Sequence, residues 1–141
     1  MLTISAELLA AVLAHAQSDH PDEACGIIAG EAGSDVPSRV VPMLNAARSA
    51  TFYEFDSTEL LRLYRELDAA GEEPIVIYHS HTATAAYPSR TDISYAGEPN
   101  AHYLIISTRD SGDLRGECEI RSFRIVAGDV SEEEIRTVDG G

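Results

Sequence analysis

The sequence predicts a single α/β domain, a mixed sheet flanked by helices, and three observations carry that expectation. The run Pro74-Ile75-Val76-Ile77-Tyr78 is apolar without alternation, the mark of a central strand covered on both faces. Two segments, over residues 6–18 and from Asp56 to Gly71, show helical spacing of apolar residues. The 141 residues fit one domain with a core that needs no disulfide staples. The domain is expected over residues 1–138, with 139–141 as a flexible tail.

Taken in order, Ser5 is the expected N-cap of the first helix, and Leu8, Leu9, Val12 and Leu13 form its apolar stripe. His20-Pro21-Asp22 ends it. Residues 23–30 are short, apolar and closed by Gly30, which predicts a strand opened by Glu23. A polar loop over 31–38 leads to a strand over 39–44, and Pro42 pushes that strand to a sheet edge or bulge. A short strand is expected over 52–55. Asp56 caps the second helix with Glu59 as its capping-box partner; Leu60, Leu63, Tyr64 and Leu67 face inward, and Gly71 stops it.

After the central strand comes an irregular polar segment over 79–90, then a short helix over 91–96. A strand over 102–107, a turn at Asp110-Ser111-Gly112-Asp113 and a strand over 117–126 follow. In the last, Cys118 and Ile120 alternate in step while Phe123 and Ile125 are shifted by one, which predicts a bulge. Ala127-Gly128-Asp129 is turn-like, and a weak strand or frayed tail ends the chain.

Composition excludes several functions. Acids number 24 against 10 basic residues, all of them Arg, for a net charge of −14. That charge opposes binding to a nucleic-acid backbone, which requires basic patches. Without Lys there is no Schiff-base chemistry and no P-loop phosphate grip. No apolar run approaches the ~20 residues of a membrane span. The start, Met1-Leu2-Thr3-Ile4-Ser5-Ala6-Glu7, lacks the basic opening of a signal peptide, so a cytoplasmic protein is expected. The two cysteines, Cys25 and Cys118, form no metal-type pair and suit a reducing compartment.

The chemistry concentrates in Tyr78-His79-Ser80-His81, followed by Ser89 and Asp92. Side chains two apart in extended chain point the same way, so His79 and His81 share a face. Asp92, in the first turn of a helix capped by Ser89, is placed to supply a third ligand. Two imidazoles and a carboxylate suit Zn²⁺, and three protein ligands leave a fourth position for water, whose pKa the metal lowers to about 7. Such a site also needs a general base. Glu23 is the best-placed acid, although chain position alone makes it one solvated glutamate among several. Cys25, on the same strand, reads as a small buried thiol rather than a nucleophile. His15, His20 and His102 have no spaced partner and are expected to be structural or exposed.

Glu23, His79-Ser80-His81, then seven residues, Ser89, two residues and Asp92 together resemble the signature of the JAMM (MPN+) zinc metallopeptidases. The resemblance implies a sheet-and-helix architecture like that of cytidine deaminases. It also implies zinc, one per chain, on His79, His81 and Asp92, with Glu23 as general base and acid and Ser89 stabilising the oxyanion. His20 to Gly26, Asn45-Ala46-Ala47-Arg48-Ser49, Tyr78 to Thr84, Ala101-His102-Tyr103 and Ser107-Thr108-Arg109-Asp110 resemble an actinobacterial branch of that family. Thr82 stands where many members have proline, and that branch shares it.

The branch implies a partner: a ubiquitin-like sulfur carrier bearing a C-terminal cysteine, cut after its Gly-Gly in cysteine biosynthesis. Arg90 and Arg48 are the expected cations for the carboxylate of the departing cysteine. The alternatives are an isopeptidase that removes ubiquitin-like modifiers from protein lysines, and a scaffold without enzymatic activity. A zinc deaminase is excluded, since no Cys-x-x-Cys completes its ligand set. The terminal Val138-Asp139-Gly140-Gly141 resembles a carrier tail, but reads as an unstructured polar end.

Overall fold

Strand β4 (Glu72–His81) lies inside a six-stranded sheet, and the site is built around its C-terminal end. The computed structural model describes residues 1–109 and 118–139. Before β4 come β1 (Leu2–Ser5), α1 (Ala6–Asp19), β2 (Cys25–Glu31), β3 (Arg39–Met43) and α2 (Ser57–Ala70). After it come α3 (Arg90–Tyr95), β5 (His102–Ser107), β6 (Glu119–Val126), β7 (Asp129–Glu133) and β8 (Ile135–Val138). The sheet order is β3-β2-β4-β5-β6-β7; only β4 and β5 are parallel, joined by the crossover that carries α3. β3 with its Pro42 is an edge strand, as its sequence requires.

Each face of the sheet buries its own core. On one, Val12 and Ala16 of α1 pack with Ile28, Val76, Tyr78, Leu104 and Ile106. On the other, Leu63 and Leu67 of α2 pack with Ile27, Ile77, Ile105 and Phe123. Apolar residues therefore run on through β4 and β5 instead of alternating. Both long helices have the expected N-cap residues: Ser5 accepts from the Leu8 N–H and Asp56 from the Glu59 N–H, the latter without the return bond of a capping box among the described residues. Gly71 takes the left-handed conformation that ends α2 (φ 70°), which a side chain would resist.

Five expectations change. Residues 79–81 belong to β4 rather than to an irregular segment, and β2 begins at Cys25, so Glu23 precedes the strand instead of opening it. The segment 52–55 forms only an isolated bridge, Asn45 to Phe55. β6 pairs with β5 in unbroken register from Tyr103–Phe123 to Ser107–Glu119, without the expected bulge. Its apolar residues change phase because Ile120 faces the α1 core and Phe123 the α2 core. The irregularity lies between β2 and β4 instead, at Ile28/Ala29, and turns both Ile75 and Val76 toward the α1 core. Finally, β1 and β8 pair in parallel across nearly the whole chain, so the weak final strand is a real one and has an N-terminal partner.

The expected turn at Asp110-Ser111-Gly112-Asp113, residue 117 and the Gly140-Gly141 end lie outside the described residues. Among the described residues no helix is long and apolar enough to cross a membrane.

Candidate metal centre

β4 presents alternate side chains to opposite faces, so His79 and His81 point to the α2 side and Ser80 to the α1 side. Across the antiparallel pair, Cys25 lies opposite His79. The pairing runs on past the strand: the Ser80 N–H donates to the Ala24 carbonyl at 3.0 Å, and the Ala24 N–H to Ser80 Oγ at 2.8 Å. That continuation sets Glu23 on the face of the two histidines. One donor atom from each of Glu23, His79 and His81 lies within 4.8 Å of the others. The central Ser of His-x-His thus fastens Ala24, the residue next to the general-base candidate.

Asp92 completes the cluster from α3. Its Oδ2 is 3.1 Å from His79 Nε2 and 3.0 Å from His81 Nε2, and the two Nε2 atoms are 3.1 Å apart. Ser89 and Asp92 form a full capping box: the Ser89 N–H donates to Asp92 Oδ2 at 2.8 Å, and the Asp92 N–H to Ser89 Oγ at 3.0 Å.

The electrostatics follow from burial and crowding. His79 is 1% exposed and Glu23 4%. Burial pulls His79 below its ordinary range, against the hydrogen bond to Asp92. Burial also opposes the charge on Asp92, yet hydrogen bonds from His79 and His81 hold its carboxyl well below the usual range. Glu23 is pushed up to about 8 by burial, with His81 pulling it back and Asp92 adding to the rise. His81 rises despite burial because Asp92 and the Ala85 carbonyl both stabilise its charged form.

These residues fit a divalent cation. The Ala85 carbonyl accepts from His81 Nδ1 at 2.8 Å, which places a proton on that nitrogen. In the neutral ring Nε2 then carries a lone pair, aimed at His79 Nε2 and Asp92 Oδ2. These three atoms converge to within 3.1 Å of one another, an arrangement that a metal ion would satisfy through all three at once. A ligand histidine fixed through its other nitrogen by a carbonyl is the usual supporting arrangement. Two nitrogens and a carboxylate oxygen are a donor set that Zn²⁺ accepts.

The structure thus brings Glu23, His79, His81, Ser89 and Asp92 together. Arg90 is exposed at the start of α3, between Ser89 and Asp92, and Arg48 is exposed on the loop whose Ser49 carbonyl accepts the Glu23 N–H at 2.8 Å. Cys25 is buried, and burial pushes its thiol up to about 12, so it is no nucleophile. The other histidines do have partners. His15 meets the Tyr78 hydroxyl at 2.6 Å and His20 the Thr108 hydroxyl at 2.8 Å. His102, fully buried, bridges Glu133 at 2.6 Å and Asp35 at 2.8 Å.

Sequence reasoning missed Tyr53, whose ring stacks on His79 with centroids 4.4 Å apart and planes at 24°. It also missed Asn45, 4% exposed, whose side-chain amide donates to the Glu23 carbonyl. No spacing links either residue to the histidines; only the polar, turn-forming character of Asn45 was readable.

Residues 5–126 match the family described as prokaryotic homologs of the JAB domain. The chain belongs to that family, the JAMM proteins. This JAMM chain is similar to a CysO-cysteine peptidase of Mycobacterium tuberculosis, 55% identical over 139 residues that cover 99% of this chain and 92% of that one. It is also similar to a desampylase of Haloferax volcanii, 32% identical over 75% of this chain and 80% of that one. Among solved structures, a protein from Desulfitobacterium hafniense matches with TM-score 0.83 and 32% identity, over 99% of the JAMM chain and 94% of its own.

Proposed function

We propose that the protein is a zinc-dependent peptidase of the cytoplasm. It hydrolyses the amide bond after the C-terminal Gly-Gly of a ubiquitin-like sulfur carrier and releases cysteine for biosynthesis. The observation that carries this reading is the convergence of Asp92 Oδ2 and the two imidazole Nε2 atoms beside buried Glu23. The similarity to a CysO-cysteine peptidase over 99% of the chain supports the choice of substrate.

His79, His81 and Asp92 would hold the ion. When bound, zinc supplies a Lewis acid and lowers the pKa of a water to about 7. Glu23 takes a proton at its carboxylate and returns it to the departing amine. Ser89 Oγ accepts from the Asp92 N–H, which leaves its hydroxyl hydrogen free to donate to the carbonyl oxygen as negative charge develops there. Arg90 and Arg48, both exposed, are the candidates to receive the carboxylate of the leaving cysteine. The extended carrier tail adds along a sheet edge through main-chain hydrogen bonds.

A second reading, cleavage of isopeptide bonds to protein lysines, is favoured by the similarity to a desampylase. Offering the purified protein a carrier–cysteine adduct and a carrier–lysine isopeptide in one mixture separates the two. The carrier–cysteine bond should be cut first; cleavage of the isopeptide alone would reverse the assignment.

A further inference from the structure

The segment from Asn45 to Phe55 is a loop closed at its neck and fastened to both sides of the proposed centre. Its closure is made by the side chain of Asn45. Asn45 Oδ1 accepts from the Ala47 N–H at 3.0 Å and the Glu54 N–H at 3.1 Å. Asn45 Nδ2 donates to the Phe52 carbonyl at 2.9 Å and to the Glu23 carbonyl at 3.0 Å. All four hydrogen-bonding positions of a buried amide are thus used on backbone. The Ser49 carbonyl accepts the Glu23 N–H at 2.8 Å, so the loop grips both polar groups of that residue's backbone. Thr82, next to His81, donates its hydroxyl to the Ala50 carbonyl at 2.8 Å. On the far limb of the loop, Tyr53 lies flat on His79.

We infer that this loop is a bracket with two positioning residues, Asn45 orienting Glu23 for proton transfer and Tyr53 fixing the His79 ring for metal binding. Neither touches the scissile bond; each acts through the residue that it holds. The bracket rests on the proposed peptidase reading for its effect on turnover, but its effect on metal retention does not depend on the substrate.

The two jaws have different signatures. Asn45→Asp keeps the acceptor oxygen and loses both donations, so the Glu23 carbonyl is released while the Ala47 and Glu54 N–H groups still close the loop neck. In that variant kcat on the carrier–cysteine adduct should fall about 10- to 100-fold, part of the ~10²–10⁴ that general-base catalysis contributes. KM and resistance to zinc removal by a chelator should stay within about twofold of the parent protein. Tyr53→Leu removes the stacked ring and should weaken zinc retention about 10- to 100-fold, as supporting groups around metal ligands do, while Tyr53→Phe restores it.

Circular dichroism and melting temperature accompany each variant. Unchanged kcat in folded Asn45→Asp, or parental zinc retention in Tyr53→Leu, overturns the bracket. Should Asn45→Asp fail to fold, Thr82→Val releases the same loop at its other tether; a loss of kcat supports the inference and full turnover refutes it. If the parent protein leaves the adduct uncut, the substrate reading fails and the zinc arm still decides the Tyr53 jaw.

Discussion

Ser89 and Asp92 lock one another at the start of α3, and the oxygen that closes the lock, Asp92 Oδ2, is also the one that meets both histidines. The helix cap and the proposed metal ligand therefore share one oxygen. Because Ser89 Oγ accepts from the Asp92 N–H, capping and donation to an oxyanion are compatible in the same hydroxyl.

Ser89→Ala should lose both roles. The cap is worth about 1 kcal/mol of stability, and the oxyanion donor about 10²–10³ in kcat. Ser89→Asn keeps a good cap and loses the hydroxyl, so its melting temperature should recover and its turnover should not. Zinc content, melting temperature and kcat measured on both variants separate the roles; full turnover in Ser89→Asn would leave only the cap.

Glu23→Gln should retain zinc and lose about 10²–10⁴ in rate, because glutamine keeps the shape but cannot take the proton. Metal analysis alongside the rate is the check. Loss of zinc from this variant would make Glu23 a ligand instead of the base.

The cysteines should differ sharply toward an alkylating reagent. Cys25 is fully buried with its thiol pushed up to about 12, whereas Cys118 is half-buried. Thiolate is the reactive form. Peptide mapping after brief labelling of the folded protein should find Cys118 modified and Cys25 untouched until denaturant is added.

Stability should depend on pH through Glu133. Burial opposes its charge, but hydrogen bonds from His102 and Ser122 lower its carboxyl to about 2 from an ordinary 4.5. A depressed acid stabilises the fold above its unfolded value, and that contribution disappears as pH falls through the folded one. The gap in melting temperature between the parent protein and Glu133→Gln should therefore be full above pH ~4.5 and close progressively toward pH ~2. A gap independent of pH would remove the charge from the explanation.

The site was more legible than the edges of the fold. His79, His81, Ser89 and Asp92 lie close in sequence, on one strand end and the next helix, so local spacing reports their geometry. Glu23 needed a resemblance, because only the pairing of β2 with β4 sets it opposite the histidines. Tyr53 and Asn45 reach the site through a loop whose path no periodicity encodes. The pairing of β1 with β8 joins the two ends of the described chain in four-residue strands, which local pattern cannot anticipate. In β6 the sequence pattern was read correctly as a change of phase, but its cause was two cores, one on each face, rather than a bulge.

The central claim is metal-dependent release of cysteine, and one measurement reaches it most directly. Cysteine freed from a carrier–cysteine adduct is quantified for the zinc-loaded protein, for the same protein stripped by a chelator, and after zinc is restored. Release by the loaded form, none by the stripped form and recovery on adding zinc is the predicted result. Equal release by the stripped protein, or an adduct that stays intact with zinc bound, would contradict it.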